Sequence, residues 1–390
     1  MSPARPKITD VQRRARLGRA HLLAASARVD GPEQVAERVL GLHATDPATV
    51  YLSAAARQRN PSAADLERAL YDERTLVRML CMRRTLFVVP AGLAPIVDAS
   101  IGRPVAARER RMLLRDLSAQ LGHGQDWLAA VEQQVLAVLA DLGEATAAQL
   151  AGLVPALRTR LVRSPGKSYE TRARITNRVL TLLAAEGRIR RGRPLGSWTS
   201  SRFRWTLAEP RPELPEADAR AALAGRYLAA FGPATTRDVQ WWTGWNLTDT
   251  RTAIAATGAM DVDLDHGPGH ALPQHLDPAP EFEPWAALLP SLDPTAMGWR
   301  HRDWYLDHAH TGDLFDRNGN IGPTLWWNGR IIGGWAQRPD GRITTRLLAP
   351  DPGRDAQHAI DDAVQRLTAF LGPTRSRPSI RTPLERRLNA

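Results

Sequence analysis

Apolar residues recur at helical spacing through the first two thirds of the chain and switch to strand-like runs near its end. Val11 to Arg28 carries an apolar stripe of Leu17, Ala20, Leu23 and Ala27, which predicts a helix whose Arg13, Arg14, Arg16 and Arg19 face outward. Pro32 to Leu40 reads as a second helix, with proline in the first turn, Val35 and Val39 on one face, and Gly41 as a C-terminal cap. The turn Leu42-His43-Ala44-Thr45-Asp46-Pro47 follows. Asp46 before Pro47 is an N-cap and first-turn pair for a helix from Ala48 to Arg59, so His43 and Thr45 are expected between two helices. Asn60-Pro61-Ser62 restarts a helix through Leu70. Thr75 to Val89 is richer in β-branched and apolar residues, interrupted by Arg83-Arg84, and predicts a hairpin. Helices followed by a short hairpin form the winged-helix pattern.

The unit recurs. Gly143-Glu-Ala-Thr146-Ala-Ala-Gln-Leu150 and Gly232-Pro-Ala-Thr235-Thr-Arg-Asp-Val239 share a Gly-x-Ala-Thr opening, each behind an apolar helix, Val131 to Leu142 or Ala217 to Phe231. In the second unit, Ser164 to Ser168 reads as a loop and Thr171 to Glu186 as a helix. Its core face is Ile175, Val179 and Leu182 or Leu183; another face carries Arg174, Asn177, Arg178 and Thr181, the composition of a recognition helix. Arg188 to Trp205 follows as a wing, and Glu209 to Glu216 is an acidic, proline-rich linker. The third unit places Trp241, Trp242 and Trp245 in a helical stretch, with core packing the expected role for most of them, and Gly267 to Pro284 reads as loop. Thr324 to Trp327 and Arg330 to Trp335 are strand-like and joined by Asn328-Gly329, a hairpin signal. Arg342 to Leu348 adds a strand, Ala356 to Leu371 a closing helix, and the tail after Gly372 is expected to fray. The expected class is α+β, with tandem winged-helix units at 1–124, 125–208 and 217–285, a β-containing segment at 286–372, and a basic tail at 373–390.

Charge changes this picture at one place. The net charge is +11, and between Leu157 and Arg204 thirteen Lys or Arg face two acids, so that segment carries the whole excess. A polyanionic partner is the implication, and arginine suits phosphate forks and base edges. Arg172, Arg174, Asn177, Arg178, Arg188, Arg190, Arg191, Arg193, Trp198, Arg202 and Arg204 are the candidate contacts there; Arg83, Arg84, Arg300, His301 and Arg302 are candidates elsewhere. The single Cys81 excludes an internal disulfide and a cysteine-based zinc site. His266, His270, His308 and His310 have no supporting ligand pattern, and no phosphate loop or dinucleotide fingerprint occurs, so neither metal nor cofactor is expected. Without an apolar run of membrane length or a signal peptide, a cytoplasmic protein is expected.

Three segments carry a family resemblance: Gly41 to Pro47 with Tyr51-Leu52-Ser53, Met82 to Pro90, and Leu288 to Pro294 with Gly322-Pro323-Thr324 and Gly329 to Gly333. Together they resemble the bacterial winged-helix DNA glycosylases of the AlkZ and YcaQ type, over nearly the full chain. The resemblance implies tandem winged helices around a concave DNA-binding channel, and action on alkylated purines or crosslinks in double-stranded DNA. In several producers of DNA-alkylating natural products such enzymes give self-resistance. One departure stands out. The family's catalytic motif is Gln-x-Gln or Gln-x-Asp, whereas this chain has His43-Ala44-Thr45.

On that resemblance His43 and Thr45 are the expected catalytic residues, with Asp46 as a secondary candidate that stabilises charge on the sugar. Imidazole and hydroxyl groups position a water, and a neutral imidazole accepts its proton. With only Lys7 and Lys167 as lysines, an amine nucleophile is poorly supplied, so a monofunctional, monomeric glycosylase acting on bulky N7-alkylguanine is the leading expectation. A non-catalytic winged-helix DNA binder, whether a regulator or a lesion binder, is the alternative. An RNA-binding protein is the third.

Overall fold

The computed structural model describes residues 4–163, 166–168, 170–277 and 283–390, so Ser164 and Pro165 of the expected loop, and 278–282 of the other, lie outside the described residues. A short strand β1 (Lys7–Ile8) precedes helix α1 (Asp10–Ala20), which Thr9 and Gln12 close with a reciprocal capping box. The helix ends well before Arg28. Trp285 packs against Gly18 so closely that a Cβ there would lie 2.4 Å from the indole nitrogen, and Leu22 turns the chain at φ 60°.

Three successive units then share one element order: helix, short strand or single bridge, two helices, hairpin. The first comprises α2 (Pro32–Arg38), β2 (Leu42–His43), α3 (Pro47–Ala55), α4 (Ala63–Glu67) and the hairpin of β3 (Leu76–Leu80) and β4 (Leu86–Pro90). The expected turn at Leu42-His43 is therefore a strand. Leu42 pairs with Val88 and His43 with Phe87, so a partner distant in sequence converts a stretch that reads locally as turn. Gly41 permits the sharp exit from α2, with φ +102° and Val88 and Val89 within 3.2 Å of where a Cβ would sit. α3 ends at Ala55 rather than Arg59, and Arg57 turns its side chain inward.

Two connecting helices, α5 (Ala94–Val97) and α6 (Arg103–Leu121), lead to the second unit: α7 (Gln125–Leu142), β5 (Glu144–Ala145) and α8 (Ala147–Leu153). An extra hairpin, β6 (Arg160–Arg163) with β7 (Thr171–Arg174), precedes α9 (Thr176–Ala185) and the hairpin of β8 (Ile189–Pro194) and β9 (Phe203–Leu207). The helix expected from Thr171 thus starts at Thr176. Thr171 to Arg174 has only Ala173 as an apolar residue, too little for a helical stripe, and pairs with β6 instead.

The third unit is α10 (Glu216–Phe231), α11 (Thr236–Thr243), α12 (Leu247–Ala255), β10 (Met260–Leu264) and β11 (Gly267–Ala271), with Ala234 bridging to His270. The loop expected from Gly267 begins as a strand. Its glycines fit that role, because a Cβ on Gly269 would stand 2.7 Å from Leu264. His43, Ala145 and Ala234 occupy corresponding places, each pairing with the last strand of its own unit, at Phe87, Trp205 and His270.

The C-terminal part is an antiparallel sheet in the order β12 (Ala286–Leu289), β13 (Thr324–Trp327), β14 (Arg330–Gln337), β15 (Ile343–Leu347), with α13 (Thr311–Leu314) before β13. Asn328 and Gly329, at φ 47° and 81°, make the tight turn that the sequence signals. Helix α14 (Arg354–Leu371) covers the sheet, and α15 (Pro383–Leu388) packs on β14. The tail is therefore anchored rather than frayed: Leu384, Thr382 and Glu385 are buried. Its apolar Leu384 and the polar pocket around Ser376 outweigh the basic composition. No described helix is long and apolar enough to cross a membrane.

Candidate active site

The junction between β2 and α3 is held from both sides. Asp46 caps α3 by accepting from the Ala48 amide at 3.0 Å, and its other oxygen accepts from the Ser379 amide at 2.6 Å. Both oxygens are thus committed to the backbone, so Asp46 positions the turn instead of facing a ligand. Thr49 adds a third strap, donating to the Ser291 carbonyl at 3.0 Å.

On this support His43 is 2 % exposed and leans on the Phe87 ring at a centroid distance of 4.8 Å, while Thr45 is exposed. The Thr45 amide donates to His43 Nδ1 at 3.4 Å, a long contact that leaves Nε2 as the protonated nitrogen. Burial, aided by the Arg83 charge, pushes the imidazole down to about 3. His43 therefore stays neutral at physiological pH, chiefly because it is desolvated.

Arg83 lies in the β3–β4 loop, where Arg83 and Arg84 adopt φ 51° and 59°, conformations uncommon for residues with a Cβ. Its guanidinium stacks on Trp241 of α11 at 4.0 Å, and Arg302 stacks on the same ring at 5.0 Å. The Nε atoms of both arginines are buried without a hydrogen-bond partner among the described residues. Burial and the neighbouring Arg302 push Arg83 down to about 10. Beside them, Asp238 is fully buried and accepts from the amides of Arg300 and His301 at 2.9 and 3.0 Å. Burial alone would raise its pKa, but bonds from His301 and Thr235 outweigh that and hold it down, while the Asp238 bond raises His301. Arg83 of the first unit, Asp238 and Trp241 of the third, and His301 with Arg302 of the C-terminal part thus converge from three places far apart in sequence. Trp241 thereby becomes a functional candidate, where the sequence predicted packing for most of the three tryptophans; an aromatic at helical spacing gives no sign of the two arginines over its ring.

The basic segment divides. Arg188 binds buried Glu132 at 3.0 Å, Arg178 binds Asp116 at 2.8 Å, Arg204 binds Glu144 at 3.2 Å, and Arg190 reaches Glu209 at 4.0 Å. Arg193 forks onto Asp72 at 2.6 Å and reaches Glu67 at 3.2 Å. Arg84 lies 3.9 Å from Glu109. Arg172, Arg174, Arg202 and Arg300 are exposed and have no ion-pair partner among the described residues, and Asn177 is exposed as well. Trp198 stacks on Tyr51 at 4.8 Å and lies against Phe370, so it joins the second unit's hairpin to α3 and α14.

The remaining signature residues meet in the core. Arg57 forks onto Asp293 at 2.6 and 2.9 Å, Ser53 donates to Asp293 at 2.7 Å, and Arg57 also reaches Thr295 and the His21 carbonyl. Segments flanking the turn and strand β12 are thereby locked together.

Residues 36–370 match the family described as DNA glycosylase AlkZ-like. The chain belongs to the AlkZ-like DNA glycosylase family. Its fold is similar to that of the Streptomyces sahachiroi DNA glycosylase AlkZ, with a TM-score of 0.72 at 20 % identity, over 95 % of this chain and 98 % of that one. No curated protein sequence matches.

Proposed function

We propose that this chain is a monofunctional DNA glycosylase hydrolysing the N-glycosidic bond of bulky N7-alkylguanine in double-stranded DNA. It acts as a cytoplasmic, nucleoid-associated monomer that protects its host from a DNA-alkylating natural product. In this reading the three helix–strand–helix–helix–hairpin units are winged helices around a concave DNA channel. The observation that carries it is His43-Ala44-Thr45 at a β2–α3 junction strapped by Asp46, beside the Arg83–Trp241–Arg302 stack.

Alkylation at N7 makes the base a good leaving group, so the protein need only steady an oxocarbenium-like sugar and hold a water at C1′. A histidine pushed down to about 3 is a poor proton acceptor at neutral pH. His43 accordingly orients the water through its Nε2–H side, and Thr45, exposed two residues on, provides the accepting oxygen. Asp46 acts through the turn as a positioning residue. The exposed cations Arg172, Arg174, Arg202 and Arg300 contact phosphates.

Single-turnover release of base from duplexes carrying N7-methylguanine or bulkier adducts tests this. His43→Ala with Thr45→Ala is expected to slow release about a hundredfold, with no DNA adduct trapped by borohydride. Wild-type rates in the double variant would refute the assignment. The burial of His43 favours one second reading, a non-catalytic lesion binder; tight binding without release from any adduct would establish it instead.

A further inference from the structure

The first and second units meet where β3 touches β8, and two arginines there lack any counter-charge. Arg78 on β3 and Arg191 on β8 are half-buried, and neither makes a hydrogen bond or ion pair with a side chain among the described residues. The nearby acids are already taken. Glu67 and Asp72 belong to Arg193, and Glu209 lies 2.7 Å from Arg74 and 4.0 Å from Arg190.

These arginines are not ordinary solvated surface groups. Arg78 Nε is shielded from water and unpartnered, and Arg191 is pressed onto Phe203 at 4.2 Å with Trp205 behind it. The hydroxyls of Tyr71 and Tyr51, close to each other, are likewise buried and meet no partner within hydrogen-bond geometry among the described residues. Burial and the Arg78 charge push Arg191 down to about 10, the mark of two cations held near each other. The walls are rigid: Arg193 lies over the Tyr71 ring at 5.3 Å while forked to Asp72, and Trp198 stacks on Tyr51. Desolvated guanidinium groups without an anion are costly, and proteins place them where an anion arrives.

We infer that Arg78 and Arg191, with the Tyr71 hydroxyl as a further donor, form a binding site for a tetrahedral phosphate, occupied by a backbone phosphodiester of the bound duplex. A phosphate accepts two guanidinium forks and a phenol at once, which matches the donors left open here. The phosphodiester assignment rests on the DNA-glycosylase reading; the anion site itself does not. The site tethers DNA where the first two units join, so it fixes the path of the strand between the arginine-rich hairpin and the His43 turn.

The test uses the full chain and undamaged duplex DNA, with affinity measured by fluorescence anisotropy across a salt series. Arg78→Gln and Arg191→Gln are each expected to flatten the slope of log K against log salt by about 0.9, the loss of one phosphate contact. Arg78→Lys, which keeps the charge, should retain the slope. Arg342→Gln, which removes an equal charge from an arginine paired with Asp340 on the C-terminal sheet, should leave it unchanged. A parallel arm follows the thermal midpoint in inorganic phosphate against chloride at equal ionic strength. Stabilisation by phosphate that disappears in Arg78→Gln supports the anion site. Unchanged slopes with that stabilisation would overturn the phosphodiester assignment in favour of a free phosphate. Unchanged slopes without it would overturn the site altogether. A wild-type protein that binds no DNA would overturn the glycosylase reading and the phosphodiester assignment, and would leave the phosphate arm to judge the site alone.

Discussion

His43 shows how burial sets chemistry at a single residue. Its imidazole, pushed down to about 3, stays neutral from pH 5 to pH 8, so base release should show no ionisation limb near 6.5 that depends on this residue. A pH–rate profile checks this: a limb near pH 6.5 that vanishes in His43→Gln would mean that the histidine works as a proton acceptor. The same shift affects stability. His21 and His43 are pushed down to about 3 and His275 to about 4, in each case by burial first. All three bind a proton in the unfolded chain below about pH 6.5 and resist it in the folded one. Their contribution is complete above that pH and is lost as pH falls toward the folded values, about 4 for His275 and about 3 for His21 and His43. Near pH 5 unfolding takes up about three protons, so stability should drop by about 4 kcal/mol per pH unit. Urea midpoints between pH 7 and pH 4.5 measure it; a flat profile would contradict the burial of these rings.

At the scale of elements, the hairpins carry the arrangement. The β13–β14 turn lies against α1, and Gly329, at φ 81°, would place a Cβ 2.8 Å from that of Arg14 and 3.0 Å from its carbonyl oxygen. Gly329→Ala should cost about 1–2 kcal/mol from the left-handed backbone alone, and more from the helix having to move. Equilibrium denaturation reads the loss, and an unchanged midpoint would show that the turn is not held there. Caps and turn residues made these elements legible: Thr146 and Thr235 cap α8 and α11 as their spacing suggests, and Asn328-Gly329 turns the chain where expected. Strands β2, β7 and β11 were not legible. Each is short and weakly apolar, and it becomes a strand only because a partner strand offers it hydrogen bonds.

Across the whole molecule the buried fork of Arg57 and Asp293 ties the first unit to β12, with neither side chain accessible to solvent. Burial alone would raise the Asp293 carboxyl, but Arg57 outweighs it and holds it down. Asp293→Asn leaves a buried cation without its counter-charge and should destabilise by about 3–5 kcal/mol. Arg57→Met combined with Asp293→Leu should recover much of that loss, because it removes both charges. Chemical denaturation of the three proteins checks this, and equal losses in the single and double variants would show that packing, not charge, holds the junction. Ser53 and Asp293, both in segments that carry the family likeness, thus prove to be one structural unit.

Local sequence determined the helices with a clear apolar stripe, their caps, the Asn-Gly hairpin, the basic segment and the Asp46-Pro47 start of α3. Each of these depends on residues within a few positions of one another, where backbone geometry and hydrogen bonding are decided locally. Only the tertiary structure decided that His43 is buried and neutral, that Asp46 spends both oxygens on backbone amides, and that Arg83 and Arg302 both lie over the Trp241 ring. It also decided which arginines find an acid and which, like Arg78 and Arg191, find none among the described residues. Desolvation and ion pairing depend on what lies across an interface, and the residues across these interfaces are far away in the chain.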